Sequence, residues 1–154
     1  MLKKLATVAR VSTTYRIGLL QAKAYRILKA HTTEALKHLN ISTIEWAFLG
    51  VLHDHKEGMR AQEAAEELGV EAPFISALLK KLEKKKLLST YLSPDDSRAK
   101  IVHLTQEGRS FVDGTEKYLR GKMRPLVQGA ALGDLLAYLA VLETIIENAN
   151  KQKE

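Results

Sequence analysis

The chain has 154 residues, of which 45% are hydrophobic and 27% charged, and its net charge is +6; these values are typical of one globular domain. It contains no cysteine, which excludes disulfides, thiolate metal sites and a cysteine redox switch. No apolar run approaches the ~18 residues of a membrane span, and no long apolar segment follows the basic start Met1–Leu5, so we expect a cytoplasmic protein with no membrane partner.

The first predicted element is a helix over residues 13–38, whose apolar positions recur at steps of three and four, and a break follows at Asn40–Ile41. Ser42 and Glu45 then have the spacing of a capping box, in which the hydroxyl and the carboxylate each accept a hydrogen bond from a backbone N–H group. This pair predicts a second helix that ends near Gly58. The residues expected on its buried side are Ile44, Phe48, Val51, Leu52 and, at the edge, His55.

Two further helices are predicted next. A short helix covers about residues 61–68 and ends at Gly69. Another begins at Pro73, a residue favoured in the first turn because it lacks an N–H group that would be unbonded there, and it leads into Lys84–Lys86. Its apolar stripe consists of Ile75, Leu78, Leu79 and Leu82.

The remaining predicted elements are a β-hairpin and two helices. The extended runs 87–92 and 100–104 flank the turn formers Ser93–Asp96 and predict the hairpin. Thr105 is placed to cap a helix that runs to about residue 124. Its interruption is predicted at Pro125, Gly129 and Gly133, and the last helix carries a heptad-like apolar stripe from Leu132 to Ala149.

The segment 61–82 has the pattern of a helix-turn-helix. Its two helices cross closely, so a small residue is needed at the crossing, and Ala65 supplies it. Gly69 permits a left-handed turn, and Ile75 sends a branched apolar side chain back onto the first helix. Because a basic second helix is followed at once by a hairpin, we predict a winged helix-turn-helix, that is, a mainly α fold with a small β-hairpin wing.

Three runs in this region resemble the multiple-antibiotic-resistance regulator (MarR) family: LLKKLEKKKLL at 78–88, SPDDSRA at 93–99 and LTQEG at 104–108. The resemblance covers roughly residues 35–150 in the order of elements. It implies a homodimeric transcriptional regulator, expected to be a repressor, whose two lobes read a pseudo-palindromic operator in double-stranded DNA. The implied division is an N-terminal dimerisation helix at 1–40, a DNA-binding lobe at 41–104 and C-terminal dimerisation helices at 105–154.

In that arrangement the recognition helix, residues 73–86, lies in the major groove, and the wing, residues 88–104, lies in the minor groove. Ser76 can hydrogen-bond a base edge or a phosphate, whereas Phe74 either touches a thymine methyl group or packs inside the lobe. Lysines a turn later are placed to contact phosphates. Arg98 is placed to enter the minor groove with Asp96 holding its guanidinium group, although an exposed turn pair without a role would explain these two residues as well. The predicted DNA-binding set is Pro73, Phe74, Ser76, Ala77, Lys80, Lys81, Asp96, Arg98 and Lys100.

The chain departs from the family pattern at five positions. Ala77 and Thr90 stand where arginine is common, Ser97 replaces a basic residue, Lys86 replaces a glycine, and Arg60 replaces a Ser or Thr cap. The lost cations predict fewer phosphate contacts, and Lys86 predicts a strained left-handed helix end. They leave open a second interpretation, a winged helix used as a protein-interaction module with weak or no sequence-specific DNA binding.

The resemblance also implies a small aromatic or phenolic effector bound between the dimer helices and the winged lobe. Tyr25, Trp46 and His53 are candidate lining residues, although a place in the core would explain each of them as well. No catalytic motif is present, so we expect no enzymatic activity and no cofactor. The run His53–His55 is a poor metal site because helical residues two positions apart, at ~100° per residue, point in nearly opposite directions, and we expect no metal.

Overall fold

A computed structural model describes residues 14–93 and 99–152 of the chain. The predicted order of helices and hairpin is confirmed, with one added strand. The elements in chain order are α1 (Thr14–Leu36), a 3₁₀ turn (Lys37–Leu39), α2 (Thr43–Asp54), β1 (Met59–Arg60), α3 (Ala61–Leu68), α4 (Ala72–Lys84), β2 (Leu88–Leu92), β3 (Lys100–Leu104), α5 (Gln106–Met123), a second 3₁₀ turn (Arg124–Val127) and α6 (Leu132–Lys151). The chain forms two units, one extending through Lys122 and the other beginning at Met123, and the division at residues 40 and 104 remains a prediction.

The start of α2 is the predicted capping box. The Ser42 hydroxyl accepts a hydrogen bond from the N–H of Glu45 at 3.2 Å, and the Glu45 carboxylate accepts one from the N–H of Ser42 at 2.8 Å. Asn40, just before it, adopts the left-handed conformation at φ 52° and ends the preceding turn. Local chemistry alone therefore determines where α2 begins.

The end of α2 differs from the prediction at His55. The helix ends at Asp54, before Gly58, and His55 is its exposed C-cap. The Nδ1 atom of His55 lies 2.9 Å from the carbonyl oxygen of Val51, so the ring turns back along the helix end instead of entering the core. Placing His55 on the buried side was wrong, because the apolar periodicity was continued one residue beyond the helix.

A three-stranded antiparallel sheet with the order β1-β3-β2 stands beside the helices. Leu88 faces Leu104 and Leu92 faces Lys100 across the hairpin, which confirms the two predicted extended runs. The strand β1 was not predicted: it has two residues, and Met59 pairs with Val102. So short a strand has no periodicity of its own and exists because β3 offers it a partner.

The core of the first unit lies between α2, α3, α4, the sheet and α5. The apolar stripe of α4 is buried as predicted, and Val102 contributes from the central strand. The largest fully buried apolar side chains are Leu36, Phe48, Leu49, Leu52, Leu82 and Val102. This core packs against the apolar stripe of α4, so the opposite face of that helix points outward.

The start of α5 is held against the end of the α4 segment. The Thr105 hydroxyl accepts a hydrogen bond from the N–H of Gly108 at 2.9 Å, which confirms the predicted cap, and donates one to the carbonyl of Lys86 at 2.7 Å. A Cβ on Gly108 would lie 1.8 Å from the carbonyl oxygen of Leu87. Glycine is therefore required at 108 because a backbone passes where a side chain would be.

The second unit is a turn followed by α6. Pro125 lies in the 3₁₀ turn and Gly129 has φ 92°, as expected of a helix break, whereas Gly133 lies inside the first turn of α6. The apolar stripe of α6 is largely exposed, with Leu132 at 72% and Ile146 at 61%. No single helix within the described ranges is long and apolar enough to span a membrane; only Gln106–Val127 and Leu132–Lys151 taken together pass that test, by length and composition.

Candidate nucleic-acid interface

The helices α3 and α4 form the predicted helix-turn-helix. Ala65 is 4% exposed in α3, and Gly69, at φ 64°, makes the left-handed end of that helix. The N–H of Val70 donates to the carbonyl of Ala65 at 2.9 Å, which closes the turn. Ile75 is 2% exposed on α4. The small residue, the glycine and the branched residue thus have the environments that the motif requires.

The helix α4 has a buried face and an exposed face. Phe74 is 46% exposed, so it lies on the surface and does not pack inside the lobe; its contact with DNA stays a prediction. The Ser76 hydroxyl donates a hydrogen bond to the carbonyl of Ala72 at 3.3 Å. Its oxygen can still accept a hydrogen bond from a group outside the protein. The predicted contact residues of α4 on the exposed face are Pro73, Phe74, Ser76, Ala77, Lys80 and Lys81.

Lys81 is engaged by a buried carboxylate. Its Nζ lies 2.7 Å from Oε1 of Glu45, a residue that is 1% exposed, and Nζ of Lys85 lies 3.7 Å from Oε2 of the same carboxylate. Lys85 also donates to the carbonyl of Asn40. Burial raises the pKa of Glu45, but hydrogen bonds from Lys81 and the Ser42 N–H, together with the charges of both lysines, outweigh burial and hold the pKa below its usual value.

The end of α4 has the left-handed residue that the sequence predicted. Lys86 has φ 60°, and its N–H donates to the carbonyl of Glu83 at 2.8 Å. The N–H of Leu87 donates to the carbonyl of Leu82 at 3.1 Å, which completes a Schellman motif. The regular helix ends at Lys84, two residues before the predicted end of the recognition helix.

The structure describes both strands of the wing, β2 and β3, but not residues 94–98 at its tip. Thr90, where an arginine was expected, donates from Oγ1 to the Glu83 carboxylate, which ties the base of the hairpin to α4. The Ser89 Oγ and the Nε2 of His103 lie 3.0 Å apart across the two strands. Lys100 is exposed at the start of β3. The predicted contacts of Asp96 and Arg98 lie outside the described residues.

A cavity of about 430 Å³ lies between α2 and α5. It brings together two of the candidate effector residues, Trp46 and His53. The Nε2 atom of His53 lies 3.1 Å from Oδ1 of Asp113. Tyr25 instead lines a separate groove between α1 and the start of α2. The other residues around the cavity are Gly50, Asp54, Val112, Asp113, Glu116, Lys117 and Arg120.

The residues of α5 in this cavity were missed by the sequence analysis. Asp113, Glu116, Lys117 and Arg120 recur at steps of three and four and so share one helical face, and Trp46, Gly50 and His53 do the same on α2. The polar face of α5 at this spacing was the available signal. In residues 14–93 and 99–152, no group of three or more His, Cys, Asp or Glu side chains could hold a metal ion.

Comparison with known proteins gives a consistent result. Residues 39–99 match the model of the MarR family. The structure is similar to a MarR-family transcriptional regulator from Rhodococcus sp. RHA1, with a TM-score of 0.78 and 20% identity over 87% of this chain and 94% of that one. It is also similar to CouR from Rhodococcus jostii RHA1 bound to p-coumaroyl-CoA, with a TM-score of 0.75 and 22% identity over 84% and 90% of the two chains.

A third similar structure is the MepR–DNA complex of S. aureus, with a TM-score of 0.71 and 24% identity over 89% of this chain and 99% of that one. At these identities the structural likeness establishes the shared fold, and the match over residues 39–99 covers the helix-turn-helix and the first strand of the hairpin. The chain therefore has the winged-helix fold of these MarR-family structures, and its residues 39–99 match the model of that family.

Proposed function

We propose that the chain is a DNA-binding transcriptional regulator that acts as a ligand-responsive repressor. The observation that carries the proposal is α4, whose apolar stripe is buried while Phe74, Ser76 and Lys80 face outward beside a β-hairpin. A helix presented in this way fits the major groove, which is about 12 Å wide. The similar protein MepR has been captured in complex with DNA. A cytoplasmic location and the absence of enzymatic activity follow from this role.

The contacts divide by chemistry. Ser76 and Phe74, with Pro73 and Ala77 beside them, are placed to meet base edges, where a hydroxyl can hydrogen-bond and an aromatic ring can touch a thymine methyl group. Lys80 and Lys100 would contact phosphates, and Arg98 would enter the minor groove, where Asp96 is proposed to hold its guanidinium group. Lys81 lies on the same face, but Glu45 already binds its ammonium group.

The test is a fluorescence-anisotropy titration against duplexes that the protein selects from a random pool, at several salt concentrations. Tight, salt-sensitive and sequence-selective binding is expected; Arg98→Ala should lose about 1–3 kcal/mol of that binding with the fold intact. Lys80→Ala should weaken binding to all duplexes and make the salt dependence shallower. Binding no better than to random duplex would favour the alternative, a protein-interaction module, which the replaced arginines motivate.

We further propose that the regulator is a homodimer built by its terminal helices. Leu20 and Ile27 of α1 are more than half exposed, and so are Leu136 and Leu139 of α6. Exposed apolar stripes of this size are typical of interaction surfaces. Leu139→Lys is expected to shift the mass measured by light scattering to that of a monomer, whereas Glu143→Lys, on the same helix, is expected to leave it unchanged. A monomeric parent would refute the dimer and with it the pseudo-palindromic operator.

The cavity between α2 and α5 is the proposed effector site. It combines the indole of Trp46 with two cations, Lys117 and Arg120, and with the carboxylates Asp54, Asp113 and Glu116; the indole and the cations are the groups that an aromatic acid would contact. Arg120 already pairs with Glu116 at 3.1 Å, so a ligand carboxylate at this position would compete with Glu116 for the guanidinium. The similar protein CouR binds p-coumaroyl-CoA, which makes p-coumarate and p-coumaroyl-CoA reasonable probes. A ligand bound here would favour one arrangement of the lobes and reduce DNA binding.

Trp46 is the single tryptophan of the chain, so its fluorescence reports on this cavity directly. Titration with p-coumarate is expected to change the emission and to weaken DNA binding. A Cβ on Gly50 meets nothing within 4 Å, so Gly50→Leu should fill the cavity without strain and abolish the titration. Gly121→Leu, on α5 but outside the cavity, is the matched control. An unchanged titration in Gly50→Leu would place the effector elsewhere.

A further inference from the structure

The exposed face of α4 borders on a buried carboxylate. Among the described residues, Glu45 is the one charged residue that is buried, and it is 1% exposed. A buried charge is costly unless it is paired and hydrogen-bonded. The Oε2 atom of Glu45 accepts a hydrogen bond from the N–H of Ser42, and the carboxylate forms ion pairs with Lys81 of α4 and with Lys85, the C-cap residue of α4.

Lys81 lies in the last turn of α4, and Lys85 directly follows the helix in a helical backbone conformation. Because the two residues are four positions apart, their side chains project from the same side of the helix. Lys81 binds Oε1 of Glu45, and Lys85, whose side chain is only 23% exposed, binds Oε2 and the carbonyl of Asn40. Three oxygen atoms, the two of the Glu45 carboxylate and the carbonyl oxygen of Asn40, thereby receive the ammonium groups of Lys81 and Lys85.

The same contact limits what Lys81 can do at a DNA surface. Its side chain is 57% exposed, but its ammonium group lies 2.7 Å from Oε1 of Glu45, whose side chain is 2% exposed. Moving the ammonium group to a phosphate would leave that carboxylate less compensated in the interior. Lys80, the preceding residue, is exposed and has no ion-pair partner in the described parts of the chain.

We propose that Glu45 is a positioning residue for the DNA-reading helix. It binds Lys81 and Lys85 and so ties α4 to the start of α2, and Lys81 consequently neutralises no phosphate. The inference rests on the proposed DNA-binding function, and it assigns neighbouring lysines of one helix to different tasks: Lys80 to the DNA backbone and Lys81 to the protein. An ion pair used to fix register in this way is a recognised role of buried charges.

The first test measures how the DNA-binding constant depends on salt in matched variants. Lys80→Met should make the logarithmic slope shallower by about one unit per lobe, because one phosphate contact is lost. Lys81→Met should leave the slope at the parent's value. Glu45→Gln, which keeps an acceptor for the Ser42 N–H, should release Lys81 and steepen the slope. A slope that becomes as shallow in Lys81→Met as in Lys80→Met would overturn the proposal.

The second test needs no DNA. In a double-mutant cycle of Glu45→Gln and Lys81→Met, the unfolding equilibrium constants are expected to deviate from additivity by about tenfold. The control cycle, Glu45→Gln with Lys80→Met, is expected to be additive. Additivity in the first cycle would show that the ion pair does not tie α4 to α2. If the parent binds no duplex in a salt-dependent manner, the proposed function fails, and this cycle alone decides whether the tie exists.

Discussion

Gly108 provides the sharpest test of how the wing is joined to α5. In Gly108→Ala the new methyl carbon would lie 1.8 Å from the carbonyl oxygen of Leu87, 2.8 Å from its carbonyl carbon and 3.3 Å from its Cα. All three are backbone atoms, so no rotation of a side chain can relieve the contact. To increase the shortest distance from 1.8 Å to the 3.0 Å that real contacts require, the two segments must separate by about 1.2 Å.

A separation of this size breaks the hydrogen bonds that join the segments. The N–H of Thr105 donates to the carbonyl of Leu87 at 3.2 Å, and the Thr105 hydroxyl donates to the carbonyl of Lys86 at 2.7 Å. Each such bond contributes about 1 kcal/mol net, and the strain of overpacking adds about 1–3 kcal/mol. The higher helix propensity of alanine returns at most about 1 kcal/mol. We therefore expect Gly108→Ala to lower the free energy of unfolding by about 2–4 kcal/mol.

The assay is urea unfolding followed by circular dichroism at 222 nm. The matched control is Gly114→Ala in the same helix, where a Cβ meets nothing within 4 Å and the residue is exposed. That variant should gain about 0.5–1 kcal/mol, because alanine loses less conformational freedom than glycine when a helix forms. If Gly108→Ala unfolds at the same or a higher urea concentration than the parent, the close approach of the Leu87 backbone to residue 108 is refuted.

Two further predictions concern α4 and its partner. Lys86→Gly should raise the free energy of unfolding by about 1 kcal/mol, because φ 60° is strained for lysine and not for glycine; a lower urea midpoint than the parent's would contradict the left-handed assignment. The lowered pKa of Glu45 makes the parent's stability depend on acid: the contribution of the ionised carboxylate is complete above its ordinary pKa of 4.5 and is lost as the pH falls through the lower pKa of the folded state. Urea midpoints measured from pH 7 to pH 3 should therefore fall more steeply in the parent than in Glu45→Gln, and parallel curves would argue against the ion pairs.

The parts of the fold that could be predicted are those in which neighbouring residues determine the outcome. Ser42 and Glu45 form the start of α2 by themselves, and Gly69 ends α3 because no Cβ opposes the left-handed turn. The burial of Ile75 follows from helical periodicity, and so does the exposure of Ser76 beside it. The location of the candidate DNA-reading face could therefore be predicted from the sequence.

The parts that could not be predicted depend on segments far apart in the chain. Glu45 was recognised as a cap, but its second role exists only because the core brings α4 against the start of α2 and places Lys81 within 2.7 Å. The meeting of Trp46 with Arg120 around one cavity has the same origin.

Taken alone, the sequence determined the order of the helices, the hairpin and the outward face of α4, because hydrogen bonds between near neighbours and the period of apolar residues control these features. The tertiary structure decided that Met59 and Arg60 form a strand, that a methyl group cannot be accommodated at residue 108, and that Lys81 faces a carboxylate. Each of these depends on a backbone or a charge supplied by a distant segment, and only packing of the core brings such segments within contact distance.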